Sequence, residues 1–231
     1  MELIWERPEP RGRTVAPTDR GRIVAAAVAL ADAEGLAGLS MRKVAAELHV
    51  SPMRLYGYVA TKDELLDLMA DSVYGEIAAA LGDHPEWEQA LRTIAVTTRD
   101  RALRHEWFVE LIGGRPHLGP NALTVMEATA SALARALGPD DDARLMPALG
   151  VFNAYLVGAV RNEVTERRVS RETGTDERQW QASVGAYLGR QLATGRYPTT
   201  ERLLRGEPED DPAGTFAAEI DIIIRGVTRS A

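Results

Sequence analysis

Cysteine is absent from the 231 residues, and lysine occurs twice, as Lys43 and Lys62. Without cysteine there is no disulfide framework, no thiolate nucleophile and no thiolate metal ligand. Long apolar runs are missing as well: none approaches the roughly 18 residues that a membrane span requires, so no membrane segment is expected. The opening residues Met1-Glu2-Leu3-Ile4-Trp5-Glu6-Arg7-Pro8 lack a basic stretch followed by an apolar one, which predicts a cytoplasmic chain. A Gly-rich phosphate loop, a G-x-S-x-G elbow and paired carboxylates on an apolar face are all wanting. The usual marks of an enzyme are therefore missing, and no enzymatic activity is expected.

What is present is a chain with 45% hydrophobic and 26% charged residues, ordinary for a folded protein and long enough to bury a core. Its net charge of −7 is unevenly spread. Residues 1–62 hold nine Lys/Arg against seven Asp/Glu, a net of +2, which leaves −9 for the remainder. An acidic body with a mildly basic N-terminal module suits phosphate binding at one end only.

Residues 1–18, with Pro8, Pro10, Pro17, Gly12 and no hydrophobic period, read as a flexible arm in which Arg11 and Arg13 either reach toward a nucleic-acid minor groove or stay disordered. From Asp19, the spacing of Ile23, Ala27, Leu30 and Ala31 predicts a helix that Gly35 stops. Ser40 caps a short helix through Leu48. Ser51, with Pro52 at the first helical position, opens another through Val59. Thr61-Lys62-Asp63-Glu64 has the form of a capping box, followed by the apolar run Leu65, Leu66, Met69, Val73, Ile77 and Leu81 of a long fourth helix. Further helices are expected over 86–105, 107–112, 121–137, 141–168, 177–192 and 215–228. Gly195 to Gly214, with the acidic run Glu207-Pro208-Glu209-Asp210-Asp211-Pro212, reads as a mobile loop. No strand pattern competes and no internal repeat is found, so the fold class is all-α.

The stretch from Met41 to Tyr58 carries the chemistry. Two short helices meet at a turn of three or four residues, and Val44, Leu48, Val50 and Leu55 close a small core between them. That is helix-turn-helix geometry. Ala45 suits a point where two helices cross closely. A plain packing hairpin would have the same apolar spacing but no use for Arg42, Met53, Arg54, Tyr56, Tyr58 and Lys62 on one face. Guanidinium, phenol and ammonium groups are the donors that phosphates and base edges accept from. Lys62, at a helix start where the dipole disfavours a cation, is expected to hold a DNA phosphate together with the neighbouring backbone N–H groups.

Val50-Ser51-x-x-x-Leu55-Tyr56-x-Tyr58-Val59-x-x-Lys62-x-Glu64-Leu65-Leu66 resembles the TetR family of transcriptional repressors, over residues 20–81. The resemblance implies an N-terminal three-helix DNA-binding module, 19–62, joined by a long helix to an effector-binding and dimerisation domain, 63–231. It implies that Arg42 reads a base, that Pro52, Met53, Arg54 and Gly57 face the groove beside Ser51, and that Tyr56, Tyr58 and Lys62 contact phosphates. Two residues depart from the pattern: His49 stands where the turn usually has glycine, and Gly57 where a larger side chain is usual. Specificity is then expected to lean on Arg42, Met53 and Arg54.

Gly119-Pro120-Asn121-Ala122-Leu123, Tyr155-x-x-Gly158 and Tyr197-Pro198 resemble a tetracycline-repressor-type C-terminal domain. The partners this implies are a double-stranded DNA operator, a small-molecule effector and a second copy of the chain. Independently, the helix over 141–168 has apolar residues on two sides, and so does the last helix, with Phe216, Ile220, Ile223 and Val227 beside Ala217 and Ile224. Both exceed the needs of one small core. On the helix over 86–105, Trp87, Leu91, Ile94, Thr98, Ala102 and His105 share a stripe. Thr98 and His105, joined by Trp107, Phe108, Met126, Phe152 and Asn153, are the candidate ligand-binding residues. Gly113-Gly114 is a candidate hinge. His84 and His117 fall in expected loops with no HxxxH or acidic cluster, so neither metal nor cofactor is expected. The alternatives are an architectural DNA-binding protein without effector and a helical enzyme.

Overall fold

The computed structural model describes residues 3–10, 18–82, 86–138, 141–204 and 211–229, the side chains of 177 and 178 excepted. Arg11, Arg13, His84 and residues 207–210 of the acidic run lie outside the described residues. Every regular element among the described residues is an α-helix. The first three are α1 (Arg20–Gly38), α2 (Met41–Glu47) and α3 (Pro52–Tyr56), which form the head. The long α4 (Lys62–Ala80) leads into the body: α5 (Trp87–Arg104), α6 (Phe108–Leu111), α7 (Pro120–Leu137), α8 (Asp142–Thr173), α9 (Glu177–Leu192), α10 (Pro198–Leu204) and α11 (Pro212–Thr228).

Local chemistry sets the head. Asp19 caps α1 by accepting from Arg22 N, and Gly35, at φ 69°, breaks its helical run where only glycine does so without strain. Ser40 caps α2 by accepting from Lys43 N. Ser51 precedes Pro52 as expected, but its hydroxyl makes no cap bond, and α3 ends at Tyr56 instead of continuing to Val59. Thr61 accepts from Glu64 N. The reciprocal half of the expected capping box is displaced by one residue, because the Glu64 carboxylate accepts from Ala60 N at 2.7 Å.

The expected flexible arm is corrected in part. Ile4 is buried, Arg7 pairs with Glu64 of α4, and Arg20 donates to the backbone oxygens of Arg7 and Tyr58. A buried side chain and these long-range bonds hold residues 3–10 against the head despite their lack of periodicity.

In the body α7 packs on α4, α5 and α8, and α11 packs on α5 and α8. The fully buried Trp107, Phe108, Phe152, Leu91, Leu133 and Ile220 form its core. Asp71 of α4 takes the place of a cap for α7, accepting from the backbone N–H groups of Asn121 and Ala122 and from Asn121 Nδ2. Arg99 binds Glu163 through two 2.6 Å bonds, tying α5 to α8.

α8 runs to Thr173, five residues beyond the expected end. It contains an 18-residue window of mean hydropathy 1.3, which meets the length and composition of a membrane span although no uninterrupted apolar run announces it. Ala148, Phe152, Leu156, Val160 and Val164 are buried in the protein's own core. The loop expected over 195–214 holds α10 and the start of α11, whose Pro198 and Pro212 occupy opening positions of helices that the Gly/Pro-rich composition concealed. No residue of α10 is buried, and Trp180 and Tyr187 of α9 are exposed.

Candidate nucleic-acid interface and ligand cavity

The turn between α2 and α3 is closed by Leu48 N, His49 N and Val50 N, which donate to Val44, Ala46 and Ala45 oxygens at 2.9–3.1 Å. His49 takes the left-handed conformation, φ 54°, where glycine is the relaxed residue. Val44, Ala45 and Leu55 are buried, and Leu48 and Val50 pack against them. This small core holds the outer face of α3 open to solvent. Ser51, Pro52, Met53, Tyr56 and Gly57 are exposed there, with Met53 at 80%, and Arg54 is half-buried.

Arg42, exposed on α2, makes no hydrogen bond or ion pair among the described residues. Lys62 is exposed at the first position of α4, with Nζ 3.4 Å from Leu36 O at the end of α1. Tyr58 differs from the other expected contacts: it is buried among the head's apolar residues and its backbone oxygen accepts from Arg20. Its placement is that of a packing residue. Gly57 has helical dihedrals, and a methyl group there would meet only Arg54 O at 3.3 Å. The missing side chain therefore leaves the reading surface lower without any conformational demand for glycine.

A cavity of about 350 Å3 lies among α4, α5, α7, α8 and the 112–117 loop, within the size range of small-molecule sites. Apolar atoms from Ile94, Ile112, Val125, Leu149, Leu156 and Val157 line most of it. Of the expected ligand residues it brings together Thr98, Met126 and Asn153. It does not bring in His105, Trp107, Phe108 or Phe152, whose buried side chains are spent elsewhere. His105 turns from the stripe of α5 because α5 ends at Arg104, so the next side chain follows a non-helical backbone. Its Nδ1 lies 2.8 Å from Asp32 Oδ1 of the head, an oxygen that also accepts from Trp107 Nε1 at 2.6 Å. Phe108 packs edge-on against Tyr74, and Phe152 is a core residue.

Four polar residues of the cavity wall were missed by sequence reasoning: Tyr74, Arg115, His117 and Thr129. His117 Nε2 is 3.0 Å from Leu111 O; a carbonyl only accepts, so this nitrogen carries the proton. Burial, with the Asp71 charge adding to it, pushes the Tyr74 hydroxyl up to about 12, so it stays a neutral hydrogen-bonding group. Thr129 donates to Val125 O in its own helix. The Pro116-His117 loop has no period that would have placed it on this wall. Gly113, at φ 92°, also lines the cavity, and a methyl group there would press on Val157 and Arg161. Arg161 donates to Val109 and Ile112 oxygens, anchoring the end of α6 to α8. Among the described residues no group of three or more His, Asp or Glu is placed to hold a metal ion.

A helix-turn-helix with an open face, joined by one long helix to an all-helical body, is the build of a DNA-binding transcriptional regulator. Residues 23–69 match the model for bacterial regulatory proteins of the tetR family, and residues 81–230 match that for the tetracyclin repressor-like C-terminal domain. The chain belongs to the TetR family of transcriptional regulators, and it is not an enzyme. Over 207 residues it is 43% identical to the HTH-type transcriptional repressor DrrR1 of Streptomyces coeruleorubidus, covering 88% of this chain and 75% of the relative. The structure of Streptomyces coelicolor ActR in complex with actinorhodin superimposes with a TM-score of 0.70 at 27% identity, covering 92% of this chain and 96% of ActR. BioQ bound to its natural double-stranded DNA operator superimposes with a TM-score of 0.57 at 27% identity, covering 68% of this chain and 93% of BioQ.

Proposed function

We propose that this protein represses transcription by binding a palindromic operator as a homodimer in the cytoplasm, and leaves the DNA when a small effector enters the cavity among α4, α5, α7 and α8. The observation that carries this reading is the pairing of two surfaces on one chain. An exposed Arg42 with no partner among the described residues, and exposed Tyr56 and Met53, stand at one end, and a mostly apolar cavity with Thr98, His117 and Asn153 in its wall lies in the body. Relatives supply each half separately: BioQ on its operator and ActR with actinorhodin. The effector class that suits such a wall is an antibiotic or lipophilic metabolite with a few hydrogen-bonding oxygens.

Dimerisation is supported by the apolar surface of α8 and α11. Met146, Val151 and Ile222 are exposed there, beside a groove whose floor includes Ala148, Ile223 and Val227. Covering it with a second copy forms a four-helix bundle and sets two heads at a spacing suited to successive major grooves, about 34–36 Å apart. Gly113-Gly114 is the hinge of this reading, connecting the cavity wall to α6.

The test begins by selecting a duplex from random DNA with the full-length protein, then measuring mass by light scattering and affinity by fluorescence anisotropy. A twofold-symmetric sequence and a dimer mass are expected. Lys62→Ala should weaken all duplexes alike and lower the slope of log affinity against log salt by about one. Actinorhodin and a panel of lipophilic antibiotics are then tested for release. If none both raises the melting temperature and releases DNA, the architectural reading replaces this one.

A further inference from the structure

Two cavities flank the junction between α1 of the head and the corner joining α5 to α6. One, of about 610 Å3, has Asp32, Glu34, Arg104 and Trp107 in its wall. The other, of about 520 Å3, is lined by Trp5, Asp32, Glu76, Arg104 and His105, among others. Asp32 and Arg104 belong to both. Apolar packing, the usual means of fixing one helix against another, reaches this junction through Ala31, Leu103 and Trp107 but is interrupted by the two openings.

A chain of polar contacts also crosses it. Trp107 Nε1–H donates to Asp32 Oδ1 at 2.6 Å, and His105 Nδ1 lies 2.8 Å from the same oxygen. On the other side of the imidazole, Nε2 is 3.3 Å from Glu76 Oε1 of α4. Glu76 Oε2 is 3.2 Å from Arg101 Nε and 3.6 Å from Arg104 Nη1 of α5. His105 and Trp107 are each only 2% exposed, so the two donor rings are shielded from water, while the Asp32 and Glu76 carboxylates that they meet stay about one-third exposed, at 33% and 35%.

The arrangement is directional. A single hydrogen bond leaves its acceptor free to swing about the donor. An ionised carboxylate only accepts, so His105 Nδ1 carries the proton toward Asp32, and two N–H vectors, from residues 105 and 107, converge on one oxygen and fix it along two lines. We propose that Asp32 is the positioning residue that sets the angle of the DNA-binding head on the body, held by the converging Trp107 and His105 donors. This rests on the reading above only in that the head angle is what an effector changes; the geometry itself needs neither DNA nor ligand.

The absence of cysteine makes a direct test clean. Spin labels on Glu47→Cys in α2 and Gln89→Cys in α5, both exposed, report head-to-body distance by pulsed electron resonance. Labelled chains are diluted into unlabelled protein so that pairs within one chain dominate. Asp32→Ala should at least double the width of the distance distribution, and Trp107→Phe, which keeps the ring and removes the N–H, should widen it by a smaller factor. Asp32→Asn, which retains an acceptor oxygen, should restore most of the original width.

Melting temperature is followed alongside. A merely structural role lowers it while leaving the distribution of the folded protein as narrow as in the parent, and that result overturns the proposal. If Asp32→Ala does not fold, Trp107→Phe decides: an unchanged width overturns it, a widened one supports it. Failure to bind any selected duplex or effector counts against the proposed function alone, because neither is present in this measurement.

Discussion

The head and the body treat their polar side chains in opposite ways. On the outer face of α2 and α3, Arg42 has no partner among the described residues, and Met53 and Tyr56 are exposed. In the body, Asp71 accepts three separate N–H groups, Arg99 is bound twice by Glu163 and Arg161 donates to the carbonyls of Val109 in α6 and Ile112 just after it. Saturated groups hold architecture, since a buried polar group without partners costs free energy. Groups left open are available to something outside the chain. Stability and DNA affinity should accordingly separate cleanly between the two regions.

The sharpest test of that separation is in the body. Gly119 precedes α7, and a Cβ there would collide with the Asp71 carboxylate that caps the helix. Gly119→Ala should destabilise the protein by about 1–3 kcal/mol through overpacking, measured by urea denaturation, while leaving the intrinsic DNA face of the folded protein intact. The mirror experiment is Arg42→Ala, which should cost about 1–3 kcal/mol of affinity for the selected duplex with a melting temperature within a degree or so of the parent, by anisotropy and calorimetry. Loss of stability here, or loss of affinity alone at Gly119, would break the comparison.

Smaller effects sharpen it within the head. His49 holds a left-handed conformation that costs a non-glycine residue about 1–2 kcal/mol. Set against the roughly 0.5–1 kcal/mol that glycine loses in entropy, His49→Gly should stabilise the protein by about 0.5–1 kcal/mol, seen as a raised urea midpoint.

The Glu64 carboxyl illustrates a pH effect. Burial pushes it up, but bonds from Arg7, Ala60 N and Thr61 outweigh this and hold it below its ordinary 4.5. A carboxyl lowered on folding contributes stability above its unfolded value and loses it as pH falls through the folded one. Glu64→Gln should therefore lower the melting temperature modestly at pH 7, with the difference from the parent shrinking as pH drops below about 4.5.

The head was the more legible region because its signals are local. Asp19, Ser40, Gly35 and Thr61 each act within three or four residues, and caps and glycine breaks are written at the positions where they operate. The cavity was legible only in part. Periodicity correctly placed Thr98 on an inward face of α5, but it carries no information about which neighbour that face meets. His105 was misassigned because its partner Asp32 is 73 residues away on another helix. Residues 3–10 were misjudged for the same reason, their order depending on Glu64, 57 residues from Arg7. His117 was set aside as a loop residue, and α10 was hidden in a Gly/Pro-rich window.

The cavity wall has one more consequence, for how such a protein changes over time. Its polar groups are scattered, with Tyr74 on α4, Thr98 on α5, Thr129 on α7 and Asn153 on α8. None of the four is part of the contacts that join Asp32 to the body. Substitutions around one shared cavity couple to each other, but none of these four touches the helix-turn-helix, so under the proposed function the chemical selectivity of the cavity can drift while the DNA-facing surface is left alone. The same property makes the chain a favourable starting frame for a biosensor whose trigger molecule is rewritten and whose output is left alone.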